Sequence, residues 1–374
     1  MSEYTYVEKP FLDQLAGLGW KVTDHGQGVI PSDPAVSLRS TFRELILPGV
    51  FHSAVRSINL TDDGRPWITD QQLEALSDQI LRQPHHELLA ANEAVHSLFL
   101  KAQVDENELT HEPDPSVTLI DFVHPERNQF HAINQFRVNT PGCVKSFIIP
   151  DIVLFVNGMP LVVVEAKISD PNMANPMFAA FEQLERYRNG REETKQAGLR
   201  EGEPRLFHTN LLLVRTCGER AEFGTITGNH EHFSSWKEVG PEANRSNAQE
   251  MLIQGLLAPA TLLNVLRTCT VFKDTDSGRR IKVVCRYQQY RAACKIVERI
   301  RSEKTPESRS GVVWHTQGSG KSLTMVFVAR MLRASTDLQD FKIVLVNDRI
   351  DLETQLSETA RLMGAKVNII QGAA

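Results

Sequence analysis

Two groups of residues in this 374-residue chain have types and spacings that could do chemistry on phosphates. The first is Asp151, Glu165 and Lys167. Two carboxylates brought together can hold one or two hard divalent cations through oxygen, with water in the remaining positions. Such a cation polarises a phosphodiester and lowers the pKa of a bound water, while an ammonium beside it can position that water or stabilise transition-state charge. The second group is Thr316-Gln317-Gly318-Ser319-Gly320-Lys321-Ser322. A glycine-rich turn opening a helix presents backbone N–H groups to an anion. Lys321 can then reach the outer phosphates, and the Ser322 hydroxyl can ligate magnesium.

The elements that must position the first group are legible. Residues 151–167 read as two apolar strands joined by Asn157-Gly158, the strongest short-range hairpin signal. Glu165 and Lys167 are two apart on a strand and share a face. Register decides whether Asp151 joins them. With a strict two-residue turn, Asp151 lies opposite Val164 and points to the other face. One extra residue, from a loop that includes Met159 or from a bulge, puts it opposite Glu165. The extra residue is expected, because Pro160 cannot donate a ladder bond. Asn175-Pro176 supplies an N-cap and a first-turn proline for a helix over 177–188, which carries Gln183 and Tyr187 one turn apart on one face.

For the second group, Gly311-Val312-Val313-Trp314 reads as a strand entering the turn, with a helix from Leu323 to Leu332 leaving it. Ile343-Val344-Leu345-Val346 reads as a second buried strand, so a parallel α/β sheet is expected. His315 stands where the commonest form of the loop has Gly or Ala, so only the Gly-x-Gly-Lys-Ser core fits strictly. Upstream, Arg286-Tyr287-Gln288-Gln289-Tyr290-Arg291-Ala292 opens a helix running toward Ile300. The Gln289 amide offers a donor and an acceptor in one plane, suited to the N6 and N7 edge of adenine.

Composition bounds the class of protein. The length suits two domains with substantial cores. A formal charge of −5 is unusual for a protein that grips DNA by itself, so local basic surface and help from partners are expected. The five cysteines have no Cys-x-x-Cys spacing, which fits free thiols in a reducing compartment. The opening Met1-Ser2-Glu3-Tyr4-Thr5 is no leader and no apolar run reaches membrane length, so a cytoplasmic protein with no membrane contact is expected.

These motifs carry family resemblances. Pro150-Asp151 followed by Glu165-x-Lys167 resembles the PD-(D/E)xK nuclease superfamily, and the Gln183-x-x-x-Tyr187 helix behind it looks like the form found in type I restriction subunits and RecB-like nucleases, where the pair helps position DNA or the metal site. Arg286-x-x-Gln289-x-x-Ala292 resembles the adenine-recognising Q-motif of superfamily 2 helicases, and Asn347 to Gln355 resembles a helicase segment that contacts the DNA backbone. The order of these motifs resembles the restriction (R) subunit of type I restriction-modification enzymes. The openings Val7 to Leu15 with Gly17 to Trp20, and Asn134-Gln135-Phe136, extend the likeness over most of the chain.

The resemblance implies an α/β protein with a PD-(D/E)xK mixed-sheet endonuclease domain over 1–245, a helical connector over 246–275 and an incomplete first RecA-like ATP-binding domain over 276–374. It implies Mg2+ at Asp151 and Glu165, ATP at Arg286, Gln289 and the 316–322 loop, and cleavage of double-stranded DNA remote from the recognition site, driven by translocation. The implied partners are methyltransferase subunits, which carry S-adenosylmethionine, and a specificity subunit. An acid on the first helix often supports such a metal site, and Glu8 matches by position; a glutamate at the positive end of a helix is also favourable without that role. No acidic pair that would hold magnesium for hydrolysis and no second RecA-like lobe follow the loop in these 374 residues, so ATP binding without efficient turnover is expected of this stretch alone. Two alternatives stand: a RecB-like repair nuclease-helicase, in which the nuclease would follow the motor, and an inactive nuclease fold serving as a docking module with a nucleotide-sensing loop.

Overall fold

The computed structural model describes residues 2–169, 174–237, 247–316, 318–338, 341–346 and 353–363. Its internal contacts divide it into two units, 1–263 and 264–374.

The first unit is built on a six-stranded mixed sheet. A π-helical turn, Tyr4–Glu8, leads into α1, Lys9–Gly17, and then β1, Lys21–Thr23. Helices α2 (Pro48–Ile58), α3 (Asp70–Leu81) and α4 (Leu88–Leu100) follow. The chain then runs through β2 (Phe130–Asn134), β3 (Ile152–Val156), β4 (Met159–Ala166), α5 (Pro176–Tyr187), α6 (Glu192–Gln196), β5 (Leu212–Thr216) and β6 (Ala221–Gly224). The strands lie in the sheet in chain order. β1 runs parallel to β2 and β4 parallel to β5, while the other neighbours are antiparallel. Each parallel pair needs a crossover, which α2 to α4 and α5 supply.

Every residue of β3 and β4 is buried. This is the signature of central strands covered on both faces, and it explains why they read as apolar runs without alternation. The hairpin between them makes a two-residue turn, with Asn157 at φ 48° and Gly158 at φ 78°, the left-handed pair of a type I′ turn. The tip is not a solvent loop. Asn157 is fully buried; its amide donates to Leu119 O and Asn128 Oδ1, both at 2.8 Å, and its Oδ1 accepts from Gln129 N. The Gly158 carbonyl accepts from Leu47 N at 2.8 Å, which packs the turn against the start of α2.

Beyond the turn the register slips once. Met159 pairs with Val156 and Pro160 with Phe155, but Val162 pairs with Leu154. Leu161 is the extra residue, next to the proline that cannot donate. The expected bulge is present, and continuing the shifted register places Glu165 opposite Asp151.

The helix expected over 177–188 begins one residue earlier, at Pro176, with Asn175 Oδ1 accepting from Phe178 N. The described part of 246–275, expected as a helical connector, folds as α7 (Ala248–Leu256) and α8 (Pro259–Thr268) and then enters a strand at Thr270. On α7, Gln249 accepts from Thr216 Oγ1 at the end of β5 and donates to Val7 O, so this helix ties the N-terminal segment to the sheet. The division between units falls inside α8.

The second unit contains the hairpin β7 (Thr270–Asp274) and β8 (Arg280–Val284), then α9 (Tyr287–Ser302), α10 (Pro306–Arg309), α11 (Lys321–Ala334) and α12 (Glu353–Arg361). The polar stretch 303–310 contains this helical turn, capped by Thr305.

The expected parallel sheet is corrected here: neither 311–316 nor 341–346 forms a strand ladder. Their side chains nonetheless keep a strand-like alternation. Val313, Ile343 and Leu345 line an apolar cavity of about 360 Å³ with Val328 and Leu332 of α11, while Val312 and Trp314 are 95% and 92% exposed. A parallel strand requires partners and cover on both faces, and only the α11 side is covered among the described residues. Residues 347–352 of the segment read as a DNA-contact motif lie outside the described residues.

A Cβ at Gly158 would stand 2.6 Å from Leu47 O and 2.8 Å from Phe51 N, in a left-handed backbone. Gly158→Ala is expected to cost about 2–4 kcal/mol in a denaturant melt, and a wild-type midpoint would contradict this close approach.

Candidate metal and phosphate sites

The hairpin mouth collects the predicted residues. Asp151, 9% exposed, accepts from Ala166 N through Oδ2 at 2.7 Å, a bond that locks the carboxylate across the two strands. Glu165 is buried. Its Oε1 receives the Lys167 ammonium at 2.6 Å and its Oε2 the Tyr187 hydroxyl at 3.0 Å. Tyr187 OH also lies 2.8 Å from Ile149 O, and Gln183 Nε2 donates to it at 2.9 Å, so the glutamine and tyrosine of α5 act as one unit on the back of Glu165. The Lys167 ammonium also donates to Ala166 O at 2.6 Å and lies 3.7 Å from both Asp151 Oδ2 and Glu3 Oε1.

Glu8 enters from the N-terminal segment, buried and held by Gln135 Nε2 at 3.2 Å. Glu3, which sequence reasoning did not single out, comes with it. Its Oε2 accepts from Ile168 N at 3.1 Å. Glu3, Glu8 and Asp151 each bring a carboxylate oxygen within 4.8 Å of the others, a donor set that fits one hard cation. Glu165 contributes to the same mouth but is engaged by Lys167 and Tyr187.

Five residues on an α-helix turn through about 500°, which would put Glu3 and Glu8 on different faces. Here the Lys9 N–H bonds to Tyr4 O, the wider i→i−5 pattern, which brings the two acids to one side. Pro10 gives a reason for the widening: it has no N–H for Tyr6 O, and its ring would crowd that carbonyl in a regular helix. Such a turn leaves no mark in apolar periodicity, so only Pro10 could have hinted at it.

In the second unit the glycine-rich loop opens α11. Gly318 and Gly320 have φ 74° and 79°. Lys321 Nζ folds back onto His315 O and Thr316 O, at 2.9 and 3.2 Å. The Ser319 hydroxyl is buried with no hydrogen-bond partner among the described residues. Thr316 and Gly318 are exposed and Ser322 half-buried; Gln317 lies outside the described residues. Gln289 spans the gap to this loop: Oε1 accepts from Arg286 N, and Nε2 donates to Ser319 O and Gly320 O at 3.3 and 3.1 Å. Its amide therefore braces the loop, whereas Arg286 is exposed.

Residues 1–232 match the family described as type I restriction enzyme R protein N terminus. The chain belongs to that family. Residues 288–372 match the SWI2/SNF2 ATPase family. The chain is 30% identical to the type I restriction enzyme HindI endonuclease subunit of Haemophilus influenzae over 94% of its own length and 32% of that protein. It is 25% identical to the putative type I restriction enzyme MjaIXP endonuclease subunit of Methanocaldococcus jannaschii, over 95% of the chain and 34% of the relative. A Staphylococcus aureus endonuclease subunit, SauMSSORF170P, is 24% identical over 80% of the chain and 30% of its own length. The chain thus spans about a third of the length of these curated relatives. Among the described residues no single helix is long and apolar enough to cross a membrane.

In this R-protein family member the acidic mouth carries four carboxylates against one ammonium. Burial raises Glu8 to about 7, with Asp151 adding to the rise. Burial also raises Asp151 to about 6, against the pull of Lys167, and raises Glu165 well above the usual range, with Asp151 again adding. Burial disfavours the Lys167 ammonium, but Glu165, Asp151 and Glu3 outweigh it and raise its pKa, so the lysine stays charged. Burial, then Glu165, raises Tyr187, which remains a neutral donor.

An acid whose folded pKa lies above its unfolded value takes up a proton on folding. Its contribution is complete below the ordinary values of 3.8 and 4.5 and is lost as pH rises through about 6 for Asp151 and about 7 for Glu8. The metal-free protein is expected to lose thermal stability across that window, and Glu8→Gln should flatten its upper part. Melting temperatures that stay level for the wild type across the window would show that the carboxylates are already compensated.

Proposed function

We propose that this chain carries the endonuclease centre of a type I restriction enzyme and the ATP-binding start of its translocating motor. The observation that supports this best is the convergence of Glu3, Glu8, Asp151, Glu165, Lys167 and Tyr187 at one hairpin mouth, in a chain whose relatives are named as restriction endonuclease subunits. A docking module has no use for so many buried carboxylates left short of positive charge, which cost several kcal/mol unless compensated.

Magnesium is the compensating ion this reading requires, and it would be held by Asp151 and Glu8, with Glu3 and Glu165 completing the oxygen-rich mouth. When bound it supplies Lewis-acid polarisation of the phosphodiester and an acidified water. The chain's own residues do the rest. Lys167 is held protonated, so it acts as a fixed cation beside the phosphate rather than as a base. Tyr187, supported by Gln183, orients Glu165 by donating to one of its oxygens and leaves the other for Lys167. Asp151 is immobilised by Ala166 N, so the site keeps its shape at little entropic cost on binding.

In the second unit, Gly318, Ser319 and Gly320 with Lys321 and Ser322 would cradle the ATP phosphates and Thr316 and Gln317 shape the loop's entry, while Gln289, expected to read adenine, has its amide engaged with the loop and with Arg286 N and serves as its brace. The double-stranded DNA substrate, the methyltransferase subunits with their S-adenosylmethionine and the specificity subunit belong to the complete enzyme of this class, a cytoplasmic assembly. Translocation would carry distant DNA to the nuclease. The relatives' names, restriction endonuclease subunits, favour this over a repair nuclease-helicase.

With Mg2+ or Mn2+, the wild-type protein is expected to nick supercoiled plasmid, and Glu165→Ala to lose at least a hundredfold in rate while keeping its circular dichroism. Equal cleavage by both would remove Glu165 from the site. For the motor unit, ATP is expected to protect the wild type but not Lys321→Ala in a thermal-shift titration; equal shifts would place the nucleotide elsewhere.

A further inference from the structure

Gln135, in the Asn134-Gln135-Phe136 stretch, was given no role by the sequence, and it lies in the link between β2 and the hairpin. Its backbone is left-handed, at φ 47°, a conformation that a glutamine side chain disfavours. Strain of this kind persists only where the surroundings impose it, and it is found preferentially at functional sites. Here both ends of the residue reach the acidic mouth. Its N–H donates to Asp151 O at 2.8 Å, and its side-chain amide donates to Glu8 Oε2 at 3.2 Å. The neighbours hold it there. Asn134 is fully buried and bonds Asp24 and His25 N, and Phe136, also fully buried, donates its N–H to Pro150 O at 3.0 Å.

We infer that Gln135 is a positioning residue for the metal site: from one strained position it sets the Glu8 carboxylate against Asp151, so that two acids from distant parts of the chain meet a cation in a prepared arrangement. Glu8 stands on the N-terminal segment and has no covalent reason to hold a fixed distance from the hairpin. The Gln135 amide supplies that distance and occupies one Glu8 oxygen, so the carboxylate has less freedom to lose when a cation binds. A glycine would suit the backbone better, so the glutamine's presence argues for the amide.

This inference rests on the proposed metal-dependent nuclease, and the test separates the two. Mn2+ binding is measured by electron paramagnetic resonance, and melting in EDTA, for the wild type, Gln135→Gly and Gln135→Asn. Gln135→Gly keeps the N–H, relieves the backbone and deletes the amide. Asn tolerates the left-handed backbone but its side chain is one methylene shorter. Both variants are expected to melt no lower than the wild type, with Gln135→Gly higher, and to bind Mn2+ at least fivefold more weakly. A purely structural residue would move stability and affinity down together. Wild-type Mn2+ affinity in either folded variant overturns the inference and leaves the nuclease reading standing. Absence of Mn2+ binding by the wild type overturns the metal reading and this inference with it.

Discussion

One extra residue in β4 decides the geometry of the acidic mouth. Leu161 bulges out of the ladder beside Pro160, and from there every side chain of the strand faces the opposite way from the one a regular hairpin would give it. Without that slip Asp151 would lie across from Val164. Glu165 would sit on the far face from Asp151, and the Tyr187 hydroxyl, the Lys167 ammonium and the N-terminal acids would have no common point to address. The slip is anchored at both ends. The buried Asn157-Gly158 turn is fixed by bonds to Leu119, Asn128, Gln129 and Leu47, and on the other side the Thr209 hydroxyl and the Asn210 amide reach the Pro160 and Leu161 carbonyls. The bulge is therefore held by hydrogen bonds on both sides, which oppose its migration along the strand.

Charge is arranged against stability around this point. Four carboxylates share one lysine, and burial makes ionisation of three of them costly. A core built for stability alone would carry apolar residues here, as β3 and β4 do along the rest of their length. The same arrangement is what a cation with water in its shell requires: oxygen donors already gathered, their approach to one another opposed until positive charge arrives. Tyr187 and Gln183 take no share of that charge, and their part is to keep Glu165 from turning away.

The phosphate loop of the second unit has a different economy. Its lysine rests on carbonyls of its own loop, its Ser319 hydroxyl has no partner among the described residues, and its sheet-like segments cover one face only. Gln289 holds the loop from α9 by two bonds to backbone carbonyls, and Gly320 beside it has a left-handed backbone, φ 79°, that favours glycine.

Local chemistry was legible in the sequence. Asn-Gly specified the turn, Pro160 announced the loosened pairing, Asn175-Pro176 marked the start of α5, and the spacing of Gln183 and Tyr187 put both on one face; each of these signals acts within a few residues, where propensity and capping are decided. Tertiary structure alone decided what came to meet the hairpin. Glu3 reaches the site because a π-helical turn realigns it with Glu8, and Gln135 because a strained backbone turns its amide toward the site; neither distortion has a periodic signature. The two apolar segments beside the phosphate loop mark the opposite limit. Their alternation is strand-like and legible, yet a strand exists only where another pairs with it, and pairing is a property of the fold rather than of the segment.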